Sequence, residues 1–206
     1  PLIELDLRLN DRIVDLVAER VDVALRVGPI RQAGLAARRV SQVNIVTCAA
    51  PAYLQDHGEP KTPDELREHK LVGLTSPSGA PPEWTFPPPY TPKRLGLKFS
   101  MLFNSAEAPI IAATAGLGIT HTGDLLVAEY VGRGELKLIL EDFVMPGPPI
   151  SLVYPSAGHQ LAKVRVFSDF AADLLLRWNE VVRRWIKQPS RPPNPVAAAS
   201  SAPLVR

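Results

Sequence analysis

Residues 10–28 read Asn10-Asp11-Arg12-Ile13-Val14-Asp15-Leu16-Val17-Ala18-Glu19-Arg20-Val21-Asp22-Val23-Ala24-Leu25-Arg26-Val27-Gly28, and the hydrophobic period changes inside this one stretch. Over 11–19 the apolar residues Ile13, Val14, Leu16 and Val17 fall on one helical stripe, whereas 21–27 is rich in β-branched residues and suits a buried strand. Upstream, residues 2–9 alternate apolar Ile3, Leu5, Leu7 and Leu9 with charged Glu4, Asp6 and Arg8, the period of a sheet with one more exposed face. Strand, helix and strand in this order predict a right-handed βαβ crossover with its two strands parallel, ending at Gly28-Pro29. The fold class is therefore expected to be α/β, and ligands in such sheets sit beyond the carboxyl ends of the strands.

The chain has 206 residues, enough for one large domain or two small lobes, and 46% of them are apolar. It contains no run of about 18 apolar residues, so no membrane span is expected. Its start, Pro1-Leu2-Ile3-Glu4, has neither the charged nor the apolar region of a secretory signal, and it lacks Met, as expected of a fragment or a processed chain. Cys48 stands alone in an apolar run, which excludes an internal disulfide and suits a reducing cytoplasm. It reads as a small buried hydrophobe. The net charge is +2, but Lys187, Arg191 and Arg206 lie in a tail without acids, leaving 20 basic against 21 acidic residues in the body. That balance lacks the footprint of a nucleic-acid-binding surface, so any action on DNA needs another segment to hold it.

Further along, residues 35–40 are a short Arg-punctuated stretch and 42–49 a strand. A helix is predicted from Pro51 to Gly58, and Thr62-Pro63-Asp64-Glu65 is a capping box for a short helix ending near His69. Residues 74–93 carry seven prolines around Glu83-Trp84-Thr85-Phe86 and read as a surface excursion pinned by Trp84 and Phe86. Residues 95–103 read as a strand, followed by Asn104-Ser105-Ala106-Glu107 as a helix N-cap, with Pro109 placing the helix start nearer Ala108 as the alternative. Gly116-Leu117-Gly118-Ile119 returns to a strand ending near Thr120-His121-Thr122-Gly123, which makes a second crossover and a second ligand wall. Asp124 caps a helix stopped by Gly132 and Gly134, 136–140 is a strand, 142–149 a loop and 150–154 a strand. Val164, Phe167, Phe170, Ala171, Leu174, Trp178, Val181, Val182 and Trp185 mark a long amphipathic helix from about Leu161. Beyond it the Pro- and Ala-rich tail is expected to be disordered.

Taken together, these segments resemble the effector-binding domain of LysR-type transcriptional regulators over residues 2 to about 178. The resemblance is carried by 10–19, by Val21-Asp22-Val23-Ala24-Leu25-Arg26-Val27-Gly28, by Leu35-Ala36-Ala37-Arg38-Arg39, and by Cys48-Ala49-Ala50-Pro51-Ala52-Tyr53-Leu54. It continues in Ala115-Gly116-Leu117-Gly118-Ile119 and in Val153-Tyr154-Pro155 with Val164-Arg165-Val166-Phe167. The resemblance implies a two-lobed α/β domain like type II periplasmic binding proteins, with two hinge crossings. Lobe one would comprise 1–46 and 151–186, lobe two 47–150, and 187–206 the tail. It implies a small-molecule effector bound between the lobes, a homodimer or homotetramer, and a cytoplasmic regulator that reaches DNA only through an N-terminal helix-turn-helix domain absent from this sequence. By the same resemblance the sequence is expected to lack the family's first strand and first helix of lobe one, and Thr120-His121-Thr122-Gly123 stands where the family usually shows apolar residues and Pro.

On that basis Gly28, Pro29 and Ile30 are expected to line one wall, and Asn104, Ser105, Thr120 and His121 the other, around an anionic, carboxylate-bearing ligand. Arg26 reads as reaching solvent or an acidic neighbour such as Asp22. No cofactor and no metal are expected, since His57, His69, His121 and His159 show no ligand spacing, and Ser78 lacks a nucleophile-elbow context. Catalysis is the disfavoured alternative, and a free-standing solute-binding protein of the same fold is the other.

Overall fold

The computed structural model describes residues 3–9, 14–30, 32–76, 78–156 and 161–187. Two long antiparallel strands carry the fold, β2 (Leu35–Ala49) and β7 (Met145–Pro155), separate in sequence and paired from Leu35↔Pro155 to Ile45↔Met145. β1 (Ala24–Val27) adds to β7 at one end, opposite Ile150 to Val153. At the other end β5 (Thr120–Gly123) and β6 (Lys137–Ile139) add to β2. The sheet order is β1-β7-β2-β5, with β6 also on β2.

Both long strands exceed their sequence signatures. The 35–40 and 42–49 stretches are one strand of 15 residues, bent by register shifts between Arg39 and Ser41 and between Gln42 and Asn44. The loop expected over 142–149 is in part ladder despite three prolines, because proline loses only its donor. Pro149 still accepts a hydrogen bond from the Gly28 N–H at 2.9 Å.

The first crossover is not formed. Residues 4–9 make no strand, and Leu5, Leu7 and Leu9 are 65%, 78% and 86% exposed. Residues 16–20 are turn: Asp15 Oδ1 accepts from the Val17 and Ala18 N–H groups at 3.0 and 3.1 Å, and Arg20 takes φ +54°. Residues 10–13, the start of the expected helix, lie outside the described residues. β1 pairs with β7 antiparallel, and among the described residues no strand pairs with it in parallel as the crossover required. Alternation selects the face a strand would bury and leaves its partner open. Among the described residues of the predicted helical stripe, only Leu16 is fully buried.

The second crossover is present in altered form. β3 (Val72–Leu74) pairs parallel with β4 (Met101–Phe103), and Leu71 bridges Ile119 in parallel, so β3 sits between β4 and the approach to β5. α3 (Ala108–Thr114) connects them. Its N-cap is Glu107, so Asn104 is not the cap, and Pro109 fits in the first turn where its missing donor costs nothing. The strand expected over 95–103 is shortened to β4, because Thr91 caps the turn α2 (Pro92–Leu95) and Gly96 closes it in the left-handed region. The capping box opens a 3-10 turn (Pro63–Glu68), in which Glu65 accepts from Lys61 N–H and Thr62 Oγ1, each at 2.9 Å.

Alternation along β2 divides the packing into two layers. Val46 and Cys48 face Val72, Ile110, Ala113, Val127 and Leu138, between the sheet, α3 and α4 (Asp124–Gly132). Ala49 faces Tyr53 and Leu54 of α1 (Pro51–His57), with Leu66, Leu71, Trp84 and Phe86. Trp84 and Phe86 pin the excursion as expected, Trp84 meeting Phe99 edge-on at 5.3 Å. α5 (Ala162–Lys187) turns Val164, Ser168, Ala172 and Val182 inward. It binds the first half of β2 through Arg38–Asp169 at 2.5 Å and through Asn179 on Ser41, and it also packs Trp178, Val181 and Val182 on Ala128 of α4. The side chain of Trp185 and the expected disordered tail beyond Lys187 lie outside the described residues.

Cys48 is fully buried, and burial pushes its thiol up to about 12. The native protein is therefore expected to leave Ellman's reagent unreacted at pH 8 while urea-unfolded protein reacts fully. Fast labelling of the native form would contradict this packing.

Candidate functional site

Strand directions bring two carboxyl ends toward each other. β1 and β2 are both antiparallel to β7 and so run the same way, whereas β5 runs against β2. The end of β1 and the end of β5 therefore approach the crossing stretch of β2 and β7 from opposite sides. Val27 is level with Ile150 and Ser41, and Gly123 with Ile45, a separation of about 13 Å for four strand residues. Because β3, β4 and the approach to β5 are parallel, Asn104 and Ser105 leave β4 at the same end as Gly123.

On the β1 side, Gly28 takes φ +113° with open space where a side chain would project, Pro29 is exposed and Ile30 half-buried. On the opposite side Asn104 is exposed and Ser105 half-buried. Ser105 borders a groove of about 360 Å³ with Leu9, Glu107, Ile110, Leu126 and Tyr130. That volume lies in the range of small-molecule sites.

Thr120 and His121 are held differently. Thr120 is 1% exposed and pairs with Cys48, within the α3–α4 layer. His121 pairs with Thr47 and belongs to the other layer, its ring 4.7 Å from Phe86 and 5.2 Å from Trp84. Its Nδ1 meets Thr47 Oγ1 at 2.9 Å, while Nε2 is buried without a hydrogen-bond partner. Burial pushes the imidazole down to about 4, a part of the shift being offset by the Thr85 backbone. Thr120 is thus packed in one layer and the His121 ring among the aromatics of the other.

Two features of the crossing escape sequence reasoning. Asp124 is buried, and its carboxylate accepts from Asn44 N–H at 3.1 Å, Asn44 Nδ2 at 2.7 Å and Leu125 N–H at 2.9 Å. The start of α4 thus carries its own anion, tied to the crossing strand. Arg26 does not pair with Asp22, which binds Lys163 at 2.7 Å. Arg26 donates instead to the Val14 carbonyl. Spacing along the chain contains no signal for either arrangement, since the partners lie 80 and 12 residues apart. Among the described residues no cluster of three or more His, Cys, Asp or Glu could hold a metal, and no helix is long and apolar enough to cross a membrane.

Residues 1–176 match the family described as the LysR substrate binding domain. The chain belongs to this family. As a LysR-type domain it is 31% identical over 186 residues to the uncharacterized HTH-type transcriptional regulator YhjC of Escherichia coli, covering 85% of this chain and 59% of that one. It is 30% identical over 178 residues to the HTH-type transcriptional regulator CrgA of Neisseria meningitidis, covering 85% and 58%. The regulatory domain of CrgA shares its structure with a TM-score of 0.69 at 28% identity, over 77% of this chain and 78% of that one. The effector domain of AmpR of Pseudomonas aeruginosa shares the fold with a TM-score of 0.67 at 19% identity, over 84% and 81%. The LysR-type domain thus has the periplasmic-binding-protein-like α/β fold, with β2 and β7 as its two crossings. It spans less than two thirds of the length of these curated relatives.

Proposed function

We propose that this domain senses a small carboxylate-bearing molecule held between two lobes, 1–46 with 151–186 and 47–150, in a cytoplasmic regulator. The observation that carries the reading is the approach of the β1 and β5 carboxyl ends to one crossing, with Gly28, Pro29 and Ile30 on one side and Asn104 and Ser105 on the other. The ligand binds one lobe orientation better than the other, and that difference in affinity shifts the geometry of the assembly. In a homodimer or homotetramer the shift reaches DNA through a helix-turn-helix domain joined to this one. The regulator names of the relatives favour sensing over catalysis.

Calorimetric titration of benzoate, salicylate and succinate tests the reading. At least one acid is expected to bind, and Ser105→Ala to weaken it about tenfold, the value of one hydrogen bond to a charged group. Binding indifferent to that change removes Ser105 from the site. Absence of binding by any of the three acids overturns the carboxylate reading.

A further inference from the structure

The sensing role proposed above leaves open what holds the ligand's charge, and the following inference rests on it. A carboxylate withdrawn from water needs a cation or several N–H donors. The β5 side is poor in both. Glu107 lines the groove beside Ser105, no residue lining that groove is basic among the described residues, and Asp124 places a carboxylate at the start of α4, where it already accepts the Leu125 N–H.

The β1 side is the reverse. Arg26 and Arg39 are both level with Ser151, Arg26 across from it on β1 and Arg39 on β2, and cross-strand partners project from the same face. Their Cα atoms stand about 10 Å apart, two strand spacings, so two guanidinium groups can close over the residue between them. Ser151, between them, is buried, 5% exposed. α5 covers the opposite face, where Arg38, one residue out of phase, is neutralised by Asp169. On the face away from α5 Arg26 rests on the Val14 carbonyl and on Gln32 Oε1 at 3.5 Å, and Arg39 on Gln42 Oε1. These acceptors are neutral, and among the described residues no carboxylate pairs with either arginine. Gly28, two residues beyond Arg26, leaves open space at the mouth.

We propose that Arg26 and Arg39, set on either side of Ser151, form an anion clamp that receives the carboxylate of the effector. Binding exchanges neutral carbonyl and amide partners for a charged one that can engage each guanidinium through two parallel hydrogen bonds. A phosphate would satisfy the same donors.

The test titrates sodium benzoate and inorganic phosphate separately into the full chain at low ionic strength, following arginine Nε–Hε signals by heteronuclear NMR. Saturable shifts at Arg26 and Arg39 with either anion support the clamp, and the tighter anion names the ligand chemistry. Arg39→Gln is expected to weaken that binding at least about tenfold. It is the deciding variant, because Arg39 is exposed whereas Arg26 also holds the Val14 carbonyl. Shifts reproduced by sodium chloride at equal ionic strength, no saturable shift with either anion, or affinity unchanged in Arg39→Gln would each overturn it. Ser105→Ala separates the two ideas. Binding that survives Ser105→Ala and fails in Arg39→Gln keeps the clamp and discards the shared crevice, and the opposite pattern does the reverse.

Discussion

Replacing Gly118 by alanine is expected to remove about 4 kcal/mol of folding stability, from steric overlap and broken ladder bonds together. A Cβ built on Gly118 would stand 2.5 Å from the Lys70 carbonyl oxygen and 3.0 Å from its carbon. The obstacle is backbone, so no side-chain rotation relieves it. That same carbonyl accepts the Ile119 N–H at 2.9 Å, and Ile119 in turn accepts the Val72 N–H at 2.9 Å. Alanine must therefore push apart the bridge that joins β3 to the approach to β5. Gly116→Ala is the control, because Gly116 at φ +76° has open space around its missing Cβ and should cost only about 1 kcal/mol for its left-handed backbone. Urea denaturation of both variants at pH 7 measures the difference. Equal losses would mean that the Lys70 contact yields easily and that the close approach is not a constraint.

Acid should destabilise the wild type more than a variant lacking His121. The folded imidazole is held down to about 4, whereas an unfolded histidine titrates near 6.5. Between those values the unfolded chain binds a proton that the folded chain refuses, so stability falls as pH falls through this window. At pH 4 the loss approaches about 3 kcal/mol, the free energy of the proton that the unfolded imidazole takes up and the folded one refuses between about 6.5 and about 4. His121→Leu removes the titration. At pH 7 it is expected to change stability by less than about 1 kcal/mol, because relief of the unpartnered Nε2 offsets the loss of the Thr47 hydrogen bond. Denaturation curves of both proteins at pH 7 and pH 4 give the comparison. Parallel losses in the two would place the acid sensitivity in the carboxylates rather than in this ring.

The same residue illustrates how far the candidate site could be read in advance. His121 ends a strand-like run, so sequence logic assigned it to the ligand wall. The pairing of β5 with β2 then determines which face each residue takes, sending His121 toward Trp84 and Phe86 and Thr120 toward Cys48. Gly28 and Ser105 do lie just past the ends of β1 and β4, because such positions depend only on where a strand stops. The grouping of Arg26, Arg39 and Ser151 was not legible, because their adjacency is created by two ladders between segments more than a hundred residues apart.

By itself the sequence determined the locally encoded parts of this LysR-type domain. The helix bounded by Pro51 and Gly58, the anchoring of the proline-rich excursion by Trp84 and Phe86, and the long amphipathic α5 all follow from caps, turns and periodicity, whereas Asp124, expected as the cap of α4, is its first helical residue behind an N-cap Gly123. Those signals act over a few residues, where the chain has little choice. Only the tertiary structure decided that residues 4–9 stay unpaired, that β1 joins β7 antiparallel, and that β2 continues unbroken past Arg38 and Arg39. Strand alternation sets which side is buried, but the hydrogen-bonding neighbour is chosen among all strands at once, and no short window of residues contains that choice.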